Sequence, residues 1–223
     1  MILDLLRNGL SVNLVISFCV RIFCIFCVFP VHEYAHAYAA HKLGDETARL
    51  QGRLTLSPMA HIDLFGAIMM FVVGFGYAKP VPVNARNFKN PKKGMAVTAL
   101  AGPLSNIIMS FLFLVIRNII SVTGSLSTFV NVAGVFCYYA AYINISLAVF
   151  NLIPVAPLDG SRIFNIVLPQ KYYFKIMQYE RYIVWGIFIL LFTGILDKPL
   201  SFFNNLLLSG LSFAAGLPFM FIK

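Results

Sequence analysis

The chain has 223 residues, of which 60% are hydrophobic and only 11% are charged, a composition that excludes an ordinary soluble globular protein. Its formal net charge of +9 would suit a nucleic-acid-binding protein, but there is no basic stripe with interleaved aromatic residues, and the basic residues lie mostly between apolar runs. We therefore predict an integral membrane protein whose polyanionic neighbour is the lipid bilayer, with no nucleic-acid partner.

Short segments rich in proline, glycine and lysine separate six apolar stretches along the chain: 9–43, 64–78, 95–116, 128–153, 182–196 and 200–222. A straight membrane-spanning helix needs about 20 residues, so four of these stretches are long enough, whereas 182–196 is short. No internal repeat or separate soluble domain is visible. The sequence predicts an all-α polytopic membrane protein with about five transmembrane helices, in a single domain that covers residues 1–223.

The stretch 64–78 differs from the others because it is short and glycine-rich, and its flanks RLQGRLTLSP and KPVPVN favour extended chain. Lysine and arginine accumulate in short cytoplasmic loops. If 64–78 enters the membrane and returns, most basic residues share one side, and Lys198 is one of the few on the other. We predict a re-entrant loop with short extended strands at 53–57 and 81–84, cytoplasmic flanks and an external N-terminus.

Residues 31–45, VHEYAHAYAAHKLGD, hold three of the four histidines in the chain and follow an apolar run. His32 and His36 are four residues apart, so on a helix their imidazoles project from one face and can bind one zinc ion. Glu33 lies about 100° round the helix from His32, where it could take a proton from water at the metal's open position. His41 falls on the opposite face. Because ionisable groups in membrane spans are rare and normally functional, we predict a zinc site here.

Two histidines leave such a site one ligand short, since catalytic zinc usually has three protein ligands and a water. Asp159 is the better candidate because Pro154 and Pro157 break the preceding helix and let the carboxylate turn towards the bundle interior. His61 and Asp63 precede the re-entrant loop and could also approach the metal, so we keep them as candidates for residues that bond to the metal's ligands. The sequence predicts one zinc ion per chain.

Four motifs of this chain occur in the order typical of one protein family: HEYAH (32–36), GRLTLSPMAHID (52–63), AGPLSN (101–106) and NLIPVAPLDG (151–160). The first, third and fourth together resemble the site-2 proteases, which are intramembrane zinc metalloproteases. The second resembles the small bacterial branch of that family. The chain departs from better-known members because it has no PDZ insertion, so the resemblance does not say how substrates are selected.

The resemblance implies a role for each matching residue. His32, His36 and Asp159 would hold zinc, Glu33 would be the general base, and Asn151 would help to bind substrate or to steady the oxyanion. The implied catalytic core covers about 9–165, followed by C-terminal helices at about 182–222.

We therefore predict a zinc-dependent endopeptidase that cleaves membrane-spanning segments in regulated intramembrane proteolysis, with a single-pass membrane protein as its substrate. The alternatives are a membrane zinc transporter and a zinc-binding scaffold. A transporter needs ligands across the whole bilayer, whereas these candidates gather near one edge, and a scaffold would close the fourth zinc position without needing Glu33. We expect the protein in the bacterial cytoplasmic membrane, with its active site near the cytoplasmic side.

Overall fold

A computed structural model describes residues 12–72, 76–122, 127–167 and 178–220. A π-helical turn, Cys24–Val28, joins the first two helices, and 3-10 turns lie at Ala85–Asn87 and Leu217–Phe219. The described residues form ten α-helices: α1 (Val12–Phe23), α2 (Phe29–Lys42), α3 (Thr47–Leu50), α4 (Pro58–His61), α5 (Leu64–Val72), α6 (Pro91–Val122), α7 (Thr128–Asn151), α8 (Asp159–Phe164), α9 (Glu180–Phe192) and α10 (Asp197–Gly216).

Four helical segments of the described chain are long and apolar enough to cross a membrane: Phe18–Lys42, Pro91–Val122, Thr128–Asn151 and Asp197–Phe219. The prediction of an all-α polytopic architecture is confirmed, although the outer ends of 9–43 and 200–222 lie outside the described residues. The fifth predicted helix is not supported. Its 13 residues in α9 extend about 20 Å, which is less than the roughly 30 Å of a bilayer's hydrocarbon core.

The π-helical turn at Cys24–Val28 has a local cause in the sequence. Pro30 lacks a backbone N–H, so it cannot donate to the carbonyl one helical turn earlier, and the hydrogen-bond ladder must change there. The backbone N–H of Phe29 bonds to the carbonyl of Cys24, five residues back, which is the π-helical spacing. The helix therefore continues through Pro30 and carries α2 into the bundle as an extension of α1.

The long helix α6 is the central element of the bundle, because it packs against α2, α7, α8 and α10. One stripe of this helix is buried at four-residue steps, and the small or polar side chains along it let neighbouring helices approach closely. The stripe consists of Thr98, Gly102, Asn106, Ser110 and Leu114. It begins beside α2, so α6 sets the position of the helix that carries HEYAH.

Two hydrogen bonds determine the direction of α10. The Asn118 amide, near the end of α6, donates to the carbonyl of Ala215 near the end of α10 at 3.0 Å. The Asn204 amide, early in α10, donates to the hydroxyl of Ser146 near the end of α7 at 3.1 Å. Therefore α10 runs parallel to α6 and antiparallel to α7. Lys198 thus lies at the end of the bundle where α6 begins, not on the opposite side as the charge count predicted, because α9 is too short to carry the chain across.

The two ends of the segment 64–78 lie next to each other. An isolated antiparallel bridge joins Ile62 to Ala78, and the Lys79 N–H donates to the His61 carbonyl at 2.8 Å. A side chain at Gly66 would overlap the carbonyl of Tyr77, so glycine is required where the outgoing helix α5 meets the returning chain. Residues 73–75 lie outside the described residues. The two ends of the predicted loop are adjacent, as a re-entrant segment requires.

The short strands predicted at 53–57 and 81–84 are absent, although both stretches lie within the described residues. Pro80 and Pro82 have no backbone N–H, which prevents a regular ladder along the second stretch. The first stretch contains bends, and the guanidinium of Arg53 in it donates to the carbonyl of Lys79, which precedes the second stretch. The hairpin is closed by one bridge and these side-chain contacts.

Cysteine labelling in sealed vesicles tests the direction of α10. In a variant without native cysteines, single cysteines at Lys89 and Lys198 should react from the same side of the membrane, and a cysteine at Thr128 from the other. All three positions are exposed. Labelling of Lys198 together with Thr128 would mean that α10 runs the opposite way.

Candidate metal centre

Three side chains from two distant parts of the chain meet at one point. His32 Nε2 lies 3.1 Å from His36 Nε2 and 3.4 Å from Asp159 Oδ2, and His36 Nε2 lies 3.2 Å from the same carboxylate oxygen. Both histidines are buried, and Asp159 is half-buried. Among the described residues this is the one group of three or more such side chains close enough to hold a metal ion.

The spacing of these atoms can be compared with what zinc requires. Zinc binds histidine nitrogen and carboxylate oxygen at about 2.0–2.2 Å in a tetrahedral arrangement, which separates neighbouring ligand atoms by about 3.3–3.5 Å. The three observed separations, 3.1, 3.2 and 3.4 Å, are close to this tetrahedral edge. The donor set of two imidazoles and one carboxylate also leaves the fourth position open, as in catalytic zinc sites. His32, His36 and Asp159 therefore fit a zinc ion.

The packing of α2 against α6 orients the two imidazoles. His36 Nδ1 donates to the carbonyl of Thr98 at 2.8 Å, which fixes the ring so that Nε2 faces Asp159. Gly102, one turn further along α6, faces both rings. A Cβ atom at Gly102 would lie 2.5 Å from His36 Cε1 and 2.6 Å from His32 Cε1, which is closer than real atoms approach. Only glycine at this position gives the imidazoles their space.

The carboxylate of Asp159 reaches the histidines because the chain turns sharply after α7. Residues 152–158 form turns, and Asp159 is the first residue of α8. Gly160 lies against the carbonyl of Leu152, so the start of α8 rests on the end of α7. Burial raises the pKa of Asp159, but hydrogen bonds with His32 and His36 outweigh it and hold that pKa well below its ordinary value. The carboxylate is therefore ionised, as a metal ligand must be.

Glu33 is buried next to this group but is not one of the three converging side chains. Its Oε2 accepts a hydrogen bond from the backbone N–H of Val81 at 3.1 Å. That donor belongs to the proline-rich segment that returns from the hairpin. Glu33 is thus held from outside its own helix, and its other carboxylate oxygen has no hydrogen bond within the described residues.

The structure does not bring His61 or Asp63 to the metal group. The ring of His61 is fully buried, with Nε2 donating to the carbonyl of Thr55 at 2.7 Å and Nδ1 lying 3.4 Å from the Arg53 guanidinium. Asp63 accepts a hydrogen bond from the N–H of Gly66 at 2.8 Å at the start of α5. Both residues hold the hairpin in shape.

Asn151 is the last residue of α7 and is half-buried. Its neighbour Leu152 contacts Gly160, which follows Asp159. The structure therefore places Asn151 on the turn adjacent to the metal-facing carboxylate.

Two groups at the site could not be identified from side-chain patterns. They are the N–H of Val81, which bonds Glu33, and the carbonyl of Thr98, which bonds His36. Every residue except proline carries both backbone groups, so no residue type marks them. The four-residue step from Thr98 to Gly102 is the one pattern that could have indicated a face of α6 turned towards α2.

Comparison with known proteins places these features in context. The sequence profile of peptidase family M50 matches residues 117–194, a range that contains Asn151 and Asp159 but not HEYAH. A Bacillus subtilis (strain 168) protein named "Putative zinc metalloprotease YwhC" is 41% identical over 167 residues, which cover 74% of this chain and 76% of that protein. No solved structure matches the chain.

Two proteins of Methanocaldococcus jannaschii are also similar to this chain. One, "Putative zinc metalloprotease MJ0611", is 28% identical over 173 residues, covering 74% of this chain and 83% of that protein. The other, "Zinc metalloprotease MJ0392", is 27% identical over 166 residues, covering 74% of this chain but 39% of that longer protein.

Replacement of Gly102 tests the packing of the two imidazoles. Gly102→Ala should displace His32 and His36 and lower zinc affinity about 10- to 100-fold, the usual effect of disturbing the groups behind metal ligands. Gly134→Ala, the same change in α7 where a Cβ meets no atom within 4 Å, is the matched control and should keep its zinc. Metal analysis of both purified proteins gives the result, and equal zinc contents would contradict the packing argument.

Proposed function

Because the chain belongs to peptidase family M50, the site-2 proteases, we propose that it cleaves peptide bonds within membrane-spanning segments of other proteins. Membership of this family makes it a zinc-dependent metalloprotease, and the four long apolar helices among the described residues make it an integral, multi-pass membrane protein. One observation carries the proposal of an intramembrane substrate. His32 and His36, which face Asp159, lie inside the apolar segment Phe18–Lys42, so the site is reached at membrane depth.

We assign His32, His36 and Asp159 as the ligands of a single zinc ion. When bound there, zinc would polarise the scissile carbonyl and make water at the open position more acidic. Glu33 is the general base that takes the proton from the attacking water and passes it to the leaving amine. The N–H of Val81 holds Oε2 of Glu33, so the other oxygen is the one available to the proton.

Asn151 is proposed to bind the substrate chain next to the scissile bond. Its amide can donate to a carbonyl or an oxyanion and accept from a backbone N–H, so it suits an unwound peptide. Its position at the end of α7, beside the turn that delivers Asp159, supports this role.

A helical substrate must unwind before its carbonyls can reach the metal, because its peptide groups are hydrogen-bonded within the helix. Extended chain at 53–57 and 81–84 could offer backbone groups to the unwound segment, and the contacts of the second stretch limit which of its N–H groups are available. In residues 80–84, two are prolines, Val81 donates to Glu33, and Asn84 donates to Asp45. Among these described residues, Val83 therefore has the one N–H left for an added peptide strand.

The distribution of charge supports a cytoplasmic site. Lys42, Lys89 and Lys198 lie at the end of the bundle where α2 ends and α6 and α10 begin, and Arg117 lies near the other end. Since short cytoplasmic loops are rich in lysine and arginine, the metal-binding end faces the cytoplasm. We propose that the protein resides in the bacterial cytoplasmic membrane and cuts single-pass membrane proteins near their cytoplasmic ends.

Two variants separate the protease from a zinc transporter or scaffold. Glu33→Gln should keep zinc while turnover of a single-span test substrate falls about 100- to 10,000-fold, as expected for loss of a general base. Asp159→Ala should lose both zinc and turnover. Appreciable hydrolysis by Glu33→Gln would show that Glu33 is not the general base. Normal zinc content in Asp159→Ala would show that the third ligand is another residue.

A substrate series tests whether unwinding limits cleavage. Replacing a glycine near the cytoplasmic end of the substrate's span with leucine should slow cleavage up to about fivefold per site, because glycine lowers helix stability by roughly 0.8–1.0 kcal/mol. In the enzyme, Val83→Pro should slow cleavage of the whole series, whereas Val83→Ala keeps the N–H and serves as control. Rates that do not depend on substrate helicity would contradict the unwinding step.

A further inference from the structure

The segment KPVPVN, residues 79–84, lies beside the helix that carries Glu33 and has almost no hydrogen bonds within itself. Pro80 and Pro82 have no backbone N–H, so the six residues have four such donors. Three of them bond to other parts of the chain: Lys79 to the His61 carbonyl at 2.8 Å, Val81 to Glu33 at 3.1 Å and Asn84 to Asp45 at 2.7 Å. The position of this segment is therefore set by the groups that accept those bonds.

Asp45 is the strongest of these acceptors. It is fully buried, although it is a charged residue outside the candidate membrane spans. Its Oδ2 accepts from the Asn84 N–H, and its Oδ1 accepts from the N–H and hydroxyl of Thr47 and from the Asn87 amide, at 3.1, 2.5 and 2.7 Å. Burial raises the pKa of Asp45, but these hydrogen bonds lower it below its ordinary value overall. An ionised carboxylate with four donors fixes its partners firmly.

The backbone geometry connects Asp45 to α2. Gly44 has a φ of +101°, a value that favours glycine, and this turn lets the Asp45 N–H bond back to the carbonyl of Ala40 in α2 at 2.9 Å. The helix that carries Glu33 thus ends in a turn that presents Asp45 to the same segment. The chain 81–84 is held at one end by Glu33 of α2 and at the other by Asp45, which follows the turn after α2.

Apolar packing fills the space between these two hydrogen bonds. Ala37 of α2, Ala48 of α3 and Val81 form a buried cluster, with Leu54 and Val83 packed against it. Ala37 is the residue after His36, so this cluster lies directly against the metal-binding turn of α2. Val81 and Val83 share this cluster, so packing connects the Asn84 end of the segment to Val81.

We propose that Asp45 is a positioning residue of the protease. It fixes Asn84, which holds the Val81 N–H against Glu33, and so aims the free oxygen of the Glu33 carboxylate at the attacking water. This inference rests on the proposed function. Replacement of Asp45, which is not a metal ligand, should therefore lower the rate of the chemical step while the protein keeps its zinc.

The test compares Asp45→Asn with Glu46→Gln. Glu46 is the adjacent acidic residue and pairs with His41 and Arg49, and among the described residues it has no hydrogen bond or ion pair with 79–84, so it is the matched control. Asparagine at position 45 would turn an amide donor towards the donors that the carboxylate now accepts. Since misplacing a catalytic group by about 1 Å can cost 10²-fold, we expect kcat to fall about 10- to 100-fold, with KM and zinc content unchanged. Glu46→Gln should behave like the wild type.

Two further variants guard against a folding defect. Asn87→Ala removes one donor to Asp45 and should give a smaller loss of kcat than Asp45→Asn. In the Glu33→Gln background, Asp45→Asn should lower the residual hydrolysis no further, because the group that it positions is already lost.

Hydrogen exchange of the 79–84 peptide gives a readout that does not need activity. The amides of Val81 and Asn84, which bond to Glu33 and Asp45, should exchange faster in Asp45→Asn than in the wild type or Glu46→Gln. Unchanged exchange would overturn the role of Asp45 in holding the segment, whether or not the protein is a protease. Faster exchange with unchanged kcat, or with a change in KM alone, would show that the segment does not position Glu33. Absence of turnover in the wild type would count against the proposed function itself.

Discussion

The close approach of α2 and α6 at Gly102 is the contact on which the rest of the site depends. Two imidazole rings occupy the space that any side chain at this position would fill. Because the imidazoles of His32 and His36 lie between the two helices here, the facing residue of α6 must be small, and Gly102 decides where the buried histidines of α2 can lie. The two Nε2 atoms therefore have fixed positions, and the turn after α7 places the carboxylate of Asp159 next to them.

Backbone groups from outside α2 hold two of its buried polar residues, His36 and Glu33. The carbonyl of Thr98 accepts from His36, and the N–H of Val81 donates to Glu33. In an apolar bundle an unpaired polar group is costly, and a backbone partner is more rigid than a side chain because it belongs to an element that is already packed. The irregular, proline-rich segment after the hairpin is useful for this reason: its N–H groups are free of any ladder and can bond to carboxylates.

The candidate site residues could be proposed from the sequence, but part of the architecture around them could not be predicted. The four-residue step in HEYAH and the prolines before Asp159 are local features, and local spacing predicts helix faces and turns well. The direction of α10 and the missing strands depend on which distant segments meet, and charge counting assigned Lys198 to the wrong end because it assumed that α9 crosses. His61 looked like a metal-site residue by composition, yet its partners, Thr55 and Arg53, are visible only in the folded chain.

The π-helical turn before α2 has a consequence for the relative orientation of α1 and α2. A π turn contains one residue more than the α-helical turn that it replaces, so each residue before it is rotated about 100° from the face that regular helical counting would assign. Arg21, eleven residues before His32, would share its face in a continuous α-helix, but its guanidinium instead donates to the carbonyl of Met70 at 2.6 Å, at the hairpin. The turn at Cys24–Val28 thus acts as a phase shift, which lets one continuous helix present its cation to the hairpin and its imidazoles to the metal centre.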